Sequence, residues 1–328
     1  MRPRTPRAFI AALTLATSAS LLAAYAEEPS PVPAPASEAP LIAVVKSTDN
    51  TNYTRFVTGF AVESKLRFTE VSLGNHEERG RKLLRWLKAK KPVLALVVGV
   101  LAARLTKEIF GDTPIVFALV PDPEKHGLSG DNITGITLSI PMRQQLATLK
   151  TLAPNAKTVG VMYNPRNSSK LVEAAIEAAK AEGIKIVSTK VDAPDEVPDA
   201  SRAFLGTIDA LWMVPDQTVM NTESFKHLLK FTFKNKVPFF SVAHRLVESG
   251  ALVSLSPDYA AIGMQAGRLV QRILNDKVKP KDLPVADPEG LDIAVNLTTA
   301  KRIGVECDIA LEIFTFAATR GYPIKVFK

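Results

Sequence analysis

Polar side chains of the types that bind small charged molecules follow several apolar runs of this sequence. The residues that come directly after such runs are Ser47, Thr48, Asn50, Asn164, Asn167, Ser168, Asp216, Gln217 and Thr218. Hydroxyls, amides and the free N–H groups of a helix N-terminus bind anions such as carboxylates, because the helix dipole places partial positive charge there. Each of these residues is equally suited to capping a helix or forming a turn.

The clearest example is the segment 157–169, in which the apolar run 158–163 ends at Asn164. The run has the length and composition of a strand, and apolar residues recur at helical spacing after Ser169. The segment therefore predicts a strand, a polar loop and a helix. In open α/β sheets, ligands bind beyond the carboxyl ends of the strands, which is where Tyr163 and Asn164 would lie.

Strand-like and helix-like patterns alternate along the chain in two series. The expected strands are 41–45, 66–71, 92–99 and 114–120 in the first series, and 159–163, 184–191, 210–214 and 237–241 in the second. This order predicts parallel sheets covered on both faces, with a further strand at 293–297. The prolines of 120–123 predict a crossing between two lobes, and 251–258 predicts a return crossing. Asp122 and Asp258 lie on these two segments, and Ser241 ends a strand of the second series.

Residues 1–26 have the features of a cleaved secretory signal peptide. They contain three arginines, the apolar run 8–22 and the small-x-small sequence Ala24-Tyr25-Ala26. The alternative is an uncleaved membrane anchor, for which the apolar run is short. Residues 27–40 are rich in proline and predict an extended linker.

The charge of the chain does not favour nucleic-acid binding. Removing 1–26 lowers the formal net charge from +8 to +5, and the remaining charges are mixed in sign along most of the chain. One basic cluster stands out, formed by Arg79, Arg81, Lys82, Arg85, Lys88, Lys90 and Lys91. It is interpreted either as the solvated face of an amphipathic helix or as a docking patch for a membrane partner or an acidic surface.

The sequence offers little support for an enzyme. It contains no nucleophile elbow, zinc-binding motif, phosphate-binding loop or dinucleotide-binding glycine pattern, so no catalytic residue, metal or cofactor is predicted. Ser241 and His244 are close in sequence, but a lone histidine near a serine is usually incidental. Cys307 is the only cysteine, which excludes an internal disulfide.

Several motifs carry a resemblance to a known family over roughly 41–304. They are TPIVFA (113–118), GDNITG (130–135), LAPNAK (152–157), GVMYNP (160–165), PDQTV (215–219) and SPDY (256–259). Together they resemble the ABC-transporter substrate-binding proteins that include tryptophan- and tyrosine-type binders, which have the type 1 periplasmic-binding-protein architecture. The resemblance implies two α/β lobes with parallel sheets joined by a multi-strand hinge. The expected division is 41–121 plus 257–280 for lobe 1, and 122–256 plus 281–328 for lobe 2.

The resemblance also implies a function. We expect a monomeric periplasmic protein that closes two lobes around a small ligand and delivers it to an ABC permease. A secreted sensor that signals to a membrane partner through the same two lobes is the alternative. For an amino-acid-like ligand, the hydroxyls and helix N-termini would bind the carboxylate, and Asp216, Asp122 or Asp258 would pair with the ammonium group. Tyr53, Tyr163 or Tyr259 would cover an apolar side chain.

Overall fold

The structure is a computed structural model that describes residues 40–328, with the side chains of 306–310 left outside the description. The predicted signal peptide, the linker up to residue 39 and the side chain of Cys307 therefore lie outside the described part. Residues Pro40–Lys328 form one compact unit. None of the helices described in this unit combines the length and the apolar character needed to cross a bilayer.

The first lobe is built on a five-stranded parallel sheet. Its strands are β1 (Ile42–Lys46), β2 (Phe68–Ser72), β3 (Leu94–Val98), β4 (Ile115–Val120) and β5 (Ile133–Thr137), in the order β2-β1-β3-β4-β5. The helices between them are α1 (Thr51–Ser64), α2 (Glu77–Ala89) and α3 (Val100–Phe110). Side chains of β1 alternate between two apolar clusters, with Ile42 and Val44 facing α1, and Ala43 and Val45 facing α2 and α3. Burial on both faces explains why β1, β3 and β4 are apolar runs.

The second lobe is built on a seven-stranded sheet. Its strands are β6 (Thr158–Tyr163), β7 (Lys185–Lys190), β8 (Ala210–Met213), β9 (Phe239–Ser241), β10 (Val253–Pro257), β11 (Leu291–Asn296) and β12 (Ile324–Phe327). Its helices are α4 (Met142–Leu152), α5 (Pro165–Ala181), α6 (Val197–Ala200), α7 (Thr222–Asn235), α8 (His244–Glu248), α10 (Leu297–Ile303) and α11 (Glu306–Arg320). Between β10 and β11 the chain forms α9 (Tyr259–Leu274), which returns to the first lobe. The strand order is β12-β11-β10-β9-β8-β6-β7, in which only the β10–β11 pair is antiparallel. The predicted fold class, two α/β lobes with parallel sheets, is confirmed.

The chain crosses between the lobes at places that differ from the expected ones. β5 pairs with β4 in the first sheet, although the sequence assigned 122–256 to the second lobe. Residues 120–123 are therefore not a crossing, and this expectation was wrong. The connection 121–132 contains a single 3₁₀ turn, Pro123–His126, in place of the amphipathic helix that would have signalled another parallel strand.

Three segments connect the lobes. They are 138–141 after β5, Pro257–Asp258 between β10 and α9, and 287–290 before β11. Residues just before the third crossing still belong to the first lobe, because the N–H of Ala286 donates to Gly135 O and Leu283 packs in the first-lobe core. All three crossings lie at the carboxyl-terminal edge of both sheets, since β5 and β10 end there and β11 begins beside the end of β10.

The second crossing places α9 against α1, and this contact depends on glycine. A Cβ atom on Gly59 would overlap the carbonyl oxygen of Ala260, and one on Gly263 would overlap that of Phe56. The two helix backbones are therefore as close as glycine allows, as in other helix pairs joined through small residues. The contact buries Phe56 and Ile262 completely over the first sheet.

Gly263→Ala should destabilise the protein by about 1–3 kcal/mol, because the new methyl group forces α9 away from α1. Urea unfolding followed by circular dichroism measures the change. Arg268→Ala, on an exposed part of the same helix, is the matched control and should change the stability by less than about 1 kcal/mol. Equal stability of Gly263→Ala and the unmodified chain would contradict the close contact.

Candidate ligand-binding cleft

The site lies at the carboxyl-terminal edges of the two sheets, beside the three crossings. In the first lobe this edge carries the N-termini of α1 and α3, and in the second lobe that of α5. Parallel strands bring all of these helix N-termini to the same edge, where their unpaired N–H groups are available to a ligand.

The N-terminus of α3 forms the first part of the site. Ser47 Oγ accepts a hydrogen bond from Ala102 N at 3.0 Å and donates one to Val98 O at 3.1 Å. Gly99 precedes the helix with φ of +87°, and a Cβ atom on it would overlap the Tyr53 hydroxyl. Burial raises the pKa of Tyr53, although its contact with Ser47 opposes this. A phenol hydroxyl and helix N–H groups therefore meet at one point, an arrangement suited to a carboxylate.

A cluster of charged residues at the crossings forms the second part. Arg55 Nη2 on α1 lies 3.3 Å from Asp258 Oδ1 and 3.9 Å from Asp292 Oδ2. Asp258 also caps α9 by accepting a hydrogen bond from Ala260 N at 2.9 Å. Asp292 on β11 has a side chain only 8% exposed, whereas that of Arg55 is 44% exposed. The cluster therefore joins residues of the first lobe to a strand of the second.

One oxygen of Asp292 has only a histidine beside it. His244 Nε2 lies 2.9 Å from Asp292 Oδ1, an ion pair when the imidazole is protonated, and neither of these buried atoms makes a hydrogen bond among the described residues. A buried carboxylate oxygen without a donor is costly, so Asp292 is a suitable partner for a cationic group of a ligand.

Tyr259 lies between the two parts. Burial raises its pKa, and the negative charge of Asp292 raises it further, with a smaller effect of Tyr53 in the same direction. Both tyrosines are therefore neutral at physiological pH, and both pack against the core of the first lobe.

In the second lobe, Asp216 is the centre of a hydrogen-bond network. It is fully buried and accepts hydrogen bonds from Asn164 N at 2.8 Å and Thr218 N at 2.9 Å. Asn167 Nδ2 lies 3.4 Å from Asp216 Oδ1, the oxygen that also accepts from Thr218 N. Asn164 in turn caps α5 and donates to Thr218 Oγ1 at 3.1 Å. The network joins the β6–α5 loop to the loop that follows β8.

The other predicted site residues have the following positions. In the first lobe, Thr48 is partly exposed, Asn50 caps α1, and Asp122 is exposed and paired with Lys125. In the second lobe, Tyr163 and Ser168 are buried and Gln217 is exposed. Ser241 is also buried, with its Oγ 3.4 Å from Val253 O. Asp122 lies at the end of β4, so it shares the carboxyl-terminal edge of the first sheet although it is not on a crossing. Tyr163 packs in the core of the second lobe.

Sequence reasoning missed Arg55, His244 and Asp292 as parts of the site. Arg55 lies inside a helical pattern, where a cation is ordinarily a solvated side chain. The sequence did contain a signal for Asp292, because an aspartate at the start of an otherwise apolar strand is rarely buried unless it has a partner. Among the described residues, no cluster of histidine, cysteine and acidic side chains is suited to holding a metal ion.

The sequence model of the family described as "ABC transporter substrate binding protein" matches residues 63–316. The chain belongs to this family. The resemblance expected from the motifs is thereby confirmed, and the match includes both lobes.

Relatives of this substrate-binding protein agree with the assignment. A tyrosine-binding protein of Clostridioides difficile is 30% identical over 203 residues, which cover 60% of this chain and 58% of that protein. The ligand-free, open structure of a substrate binding protein with adhesive properties from Clostridium difficile is 25% identical, covers 88% of this chain and all of that chain, and has a TM-score of 0.75. An ABC domain from Streptococcus pneumoniae in complex with L-Trp is 22% identical, covers 84% of this chain and 98% of that chain, and shares the fold with a TM-score of 0.58.

Asp216→Ala should destabilise this substrate-binding protein by about 2–4 kcal/mol, because two buried N–H groups lose their acceptor. Urea unfolding gives the change in the free energy of unfolding. Gln217→Ala, at the exposed neighbouring position, should leave it within about 0.5 kcal/mol. An Asp216→Ala protein as stable as the Gln217→Ala protein would show that the network contributes little.

Proposed function

We propose that this protein binds an amino acid with an aromatic side chain in the cleft between its lobes. The observation that carries the proposal is the buried Oδ1 of Asp292, which makes no hydrogen bond among the described residues and whose carboxylate lies near Tyr259. The proposal agrees with the ligands named for two of the relatives, tyrosine and L-Trp.

The two charged groups of an amino acid fit the two parts of the site. The ammonium group would donate to Asp292, since a charge-assisted hydrogen bond to a buried carboxylate is stronger than a neutral one. The carboxylate would accept from the N–H groups at the start of α3 and from the hydroxyl of Tyr53. Tyr259 lies between them and would contact the aromatic side chain through its ring.

Arg55 would keep its contact with Asp258 and give up its contact with Asp292 when the ligand binds. In the free protein its guanidinium lies 3.3 Å from Asp258 and 3.9 Å from Asp292. A ligand ammonium group is smaller than a guanidinium and would approach Asp292 more closely, while Asp258 keeps Arg55 as its partner. Thr48 from the first lobe, with Asn167 and Gln217 from the second, would then meet the ligand as the lobes close about the crossings.

The predicted delivery of the ligand to an ABC permease is part of the proposal. Membership of the substrate-binding family supports it, as does the sequence pattern of a secretory signal at 1–26. We therefore propose a monomeric periplasmic protein that needs no cofactor, whose role is binding and not catalysis.

The chain from Glu27 onward should bind L-tyrosine, L-tryptophan or L-phenylalanine and leave ribose unbound. A ligand present at a hundred times its dissociation constant should stabilise the folded protein by about 2.7 kcal/mol. Thermal unfolding with each compound, followed by calorimetric titration of those that shift the midpoint, measures this. A shift with sugars and none with the aromatic amino acids would contradict the proposal.

Asp292→Asn should weaken the binding of the identified amino acid by about 10- to 150-fold, because the loss of the carboxylate charge removes a charge-assisted hydrogen bond. Titration calorimetry of the variant gives the ratio, and its thermal unfolding in the absence of ligand checks that it is folded. Asp122→Asn makes the same chemical change at an exposed residue paired with Lys125 and should bind as the unmodified chain does. Undiminished binding by Asp292→Asn would exclude Asp292 from the site.

A further inference from the structure

Helix α2 presents a strongly basic face that the cleft does not use. Its buried side consists of Gly80, Leu84 and Leu87, which pack on the first lobe. The opposite side exposes Arg79, Lys82, Arg85, Trp86, Lys88 and Lys90, followed by Lys91, with the exposed acid Glu78 at its N-terminal end. We call these exposed residues the basic face.

The cations of the basic face are largely unneutralised. Arg81, at the border of this face, is held by Glu77 at 2.9 Å and Glu108 at 2.5 Å, and Lys88 donates to a carbonyl oxygen. Within residues 40–328, excluding the side chains of 306–310, Lys82, Arg85 and Lys90 have no carboxylate oxygen within 4.0 Å. A solvated helix face ordinarily carries both signs of charge in similar numbers, so this excess of cations favours an anionic partner.

Trp86 stands at the centre of this face. Its side chain is 50% exposed, which is unusual for so large an apolar ring, and Lys90 Nζ lies 5.3 Å from the ring centroid. Lys82, Trp86 and Lys90 follow one another at intervals of four residues and therefore lie along one line of the helix. An exposed ring among cations combines an apolar contact with an electrostatic one.

We propose that the basic face of α2 binds an anionic phospholipid surface. Tryptophan is favoured at membrane–water interfaces, because its ring is apolar and its N–H group remains able to donate a hydrogen bond. Each lysine or arginine near an anionic lipid surface adds to the attraction without any need for a complementary shape. The basic face is a convex helix surface, which fits a lipid bilayer better than it fits a protein partner that requires a groove.

Binding of the basic face to lipid would determine where the protein is located. A weak attraction through α2 would concentrate the protein next to the membrane, and the interlobe cleft would remain free because α2 packs on the face of the first sheet and not at its carboxyl-terminal edge. The inference is independent of the ligand and holds whether or not the proposed amino acid is the one bound.

Binding to lipid vesicles tests the inference. The chain from Glu27 onward is mixed with vesicles of equal parts phosphatidylglycerol and phosphatidylcholine, or of phosphatidylcholine alone. We expect sedimentation with the anionic vesicles only, and its loss near 1 M salt, where the Debye length falls to about 3 Å. No binding to the anionic vesicles would overturn the inference.

Matched triple variants test the location. Lys82→Ala with Arg85→Ala and Lys90→Ala should weaken vesicle binding on the order of 100-fold. Lys226→Ala with Lys230→Ala and Lys234→Ala removes three exposed cations from α7 and should leave binding within about twofold. Equal losses in the two triple variants would show that net charge, and not the basic face, is responsible.

Tryptophan fluorescence separates a membrane from an acidic protein. The chain has two tryptophans, and Trp212 is buried, so a blue shift on binding reports Trp86. We expect the shift with anionic vesicles, and none with the Trp86→Phe variant. Binding of soluble polyglutamate as tight as that of the vesicles, with no shift of Trp86, would overturn the membrane assignment and indicate an acidic protein partner.

Discussion

The architecture depends on the contact between α1 and α9, two helices that are distant in sequence. The chain completes its first sheet, builds most of the second, and then returns to place α9 on α1 through Gly59 and Gly263. Because the backbones are separated by no side chain, α9 is held firmly on the first lobe while β10 and β11, on either side of it, belong to the second. The return therefore makes three crossings in place of one. Three short crossings permit the lobes to rotate about one edge and restrict other movements, which is the hinge closure known for two-lobed binding proteins.

The charged residues of the site follow from the same return. Asp258 caps α9 and Asp292 begins the strand that leaves the first lobe, so both carboxylates lie where the chain crosses. Arg55 reaches them because α1 is fixed against α9. The part proposed to bind the carboxylate, at the start of α3 beside Ser47 and Gly99, belongs to the first lobe alone. In the proposed binding mode, one lobe thus supplies the contact for an anion and the crossings supply the contact for a cation, which is the distribution that an amino acid requires.

Much of the fold was readable from the sequence, because strands buried on both faces are apolar runs and the helices between them have apolar periodicity. β5 was missed because Thr134, Gly135 and Thr137 interrupt its apolar character, and a 3₁₀ turn replaces the expected helix before it.

The loops of the site were located by their position after strands. The partners within them were not predictable, because whether Asp216 binds backbone N–H groups or a ligand depends on the approach of the Asn164 loop, which is 52 residues away in sequence. Asp292 and Arg55 become neighbours only through the tertiary return.

In the proposed complex, an amino acid is held with its ammonium group at Asp292 and its carboxylate at the N-terminus of α3. A crystal structure with the amino acid that stabilises the protein most is the direct measurement. The account predicts a ligand nitrogen about 2.7–2.9 Å from an oxygen of Asp292, and ligand carboxylate oxygens within hydrogen-bond distance of the α3 N–H groups or the Tyr53 hydroxyl. A ligand whose ammonium group pairs with another carboxylate, with only Arg55 and His244 beside Asp292, would contradict this binding mode.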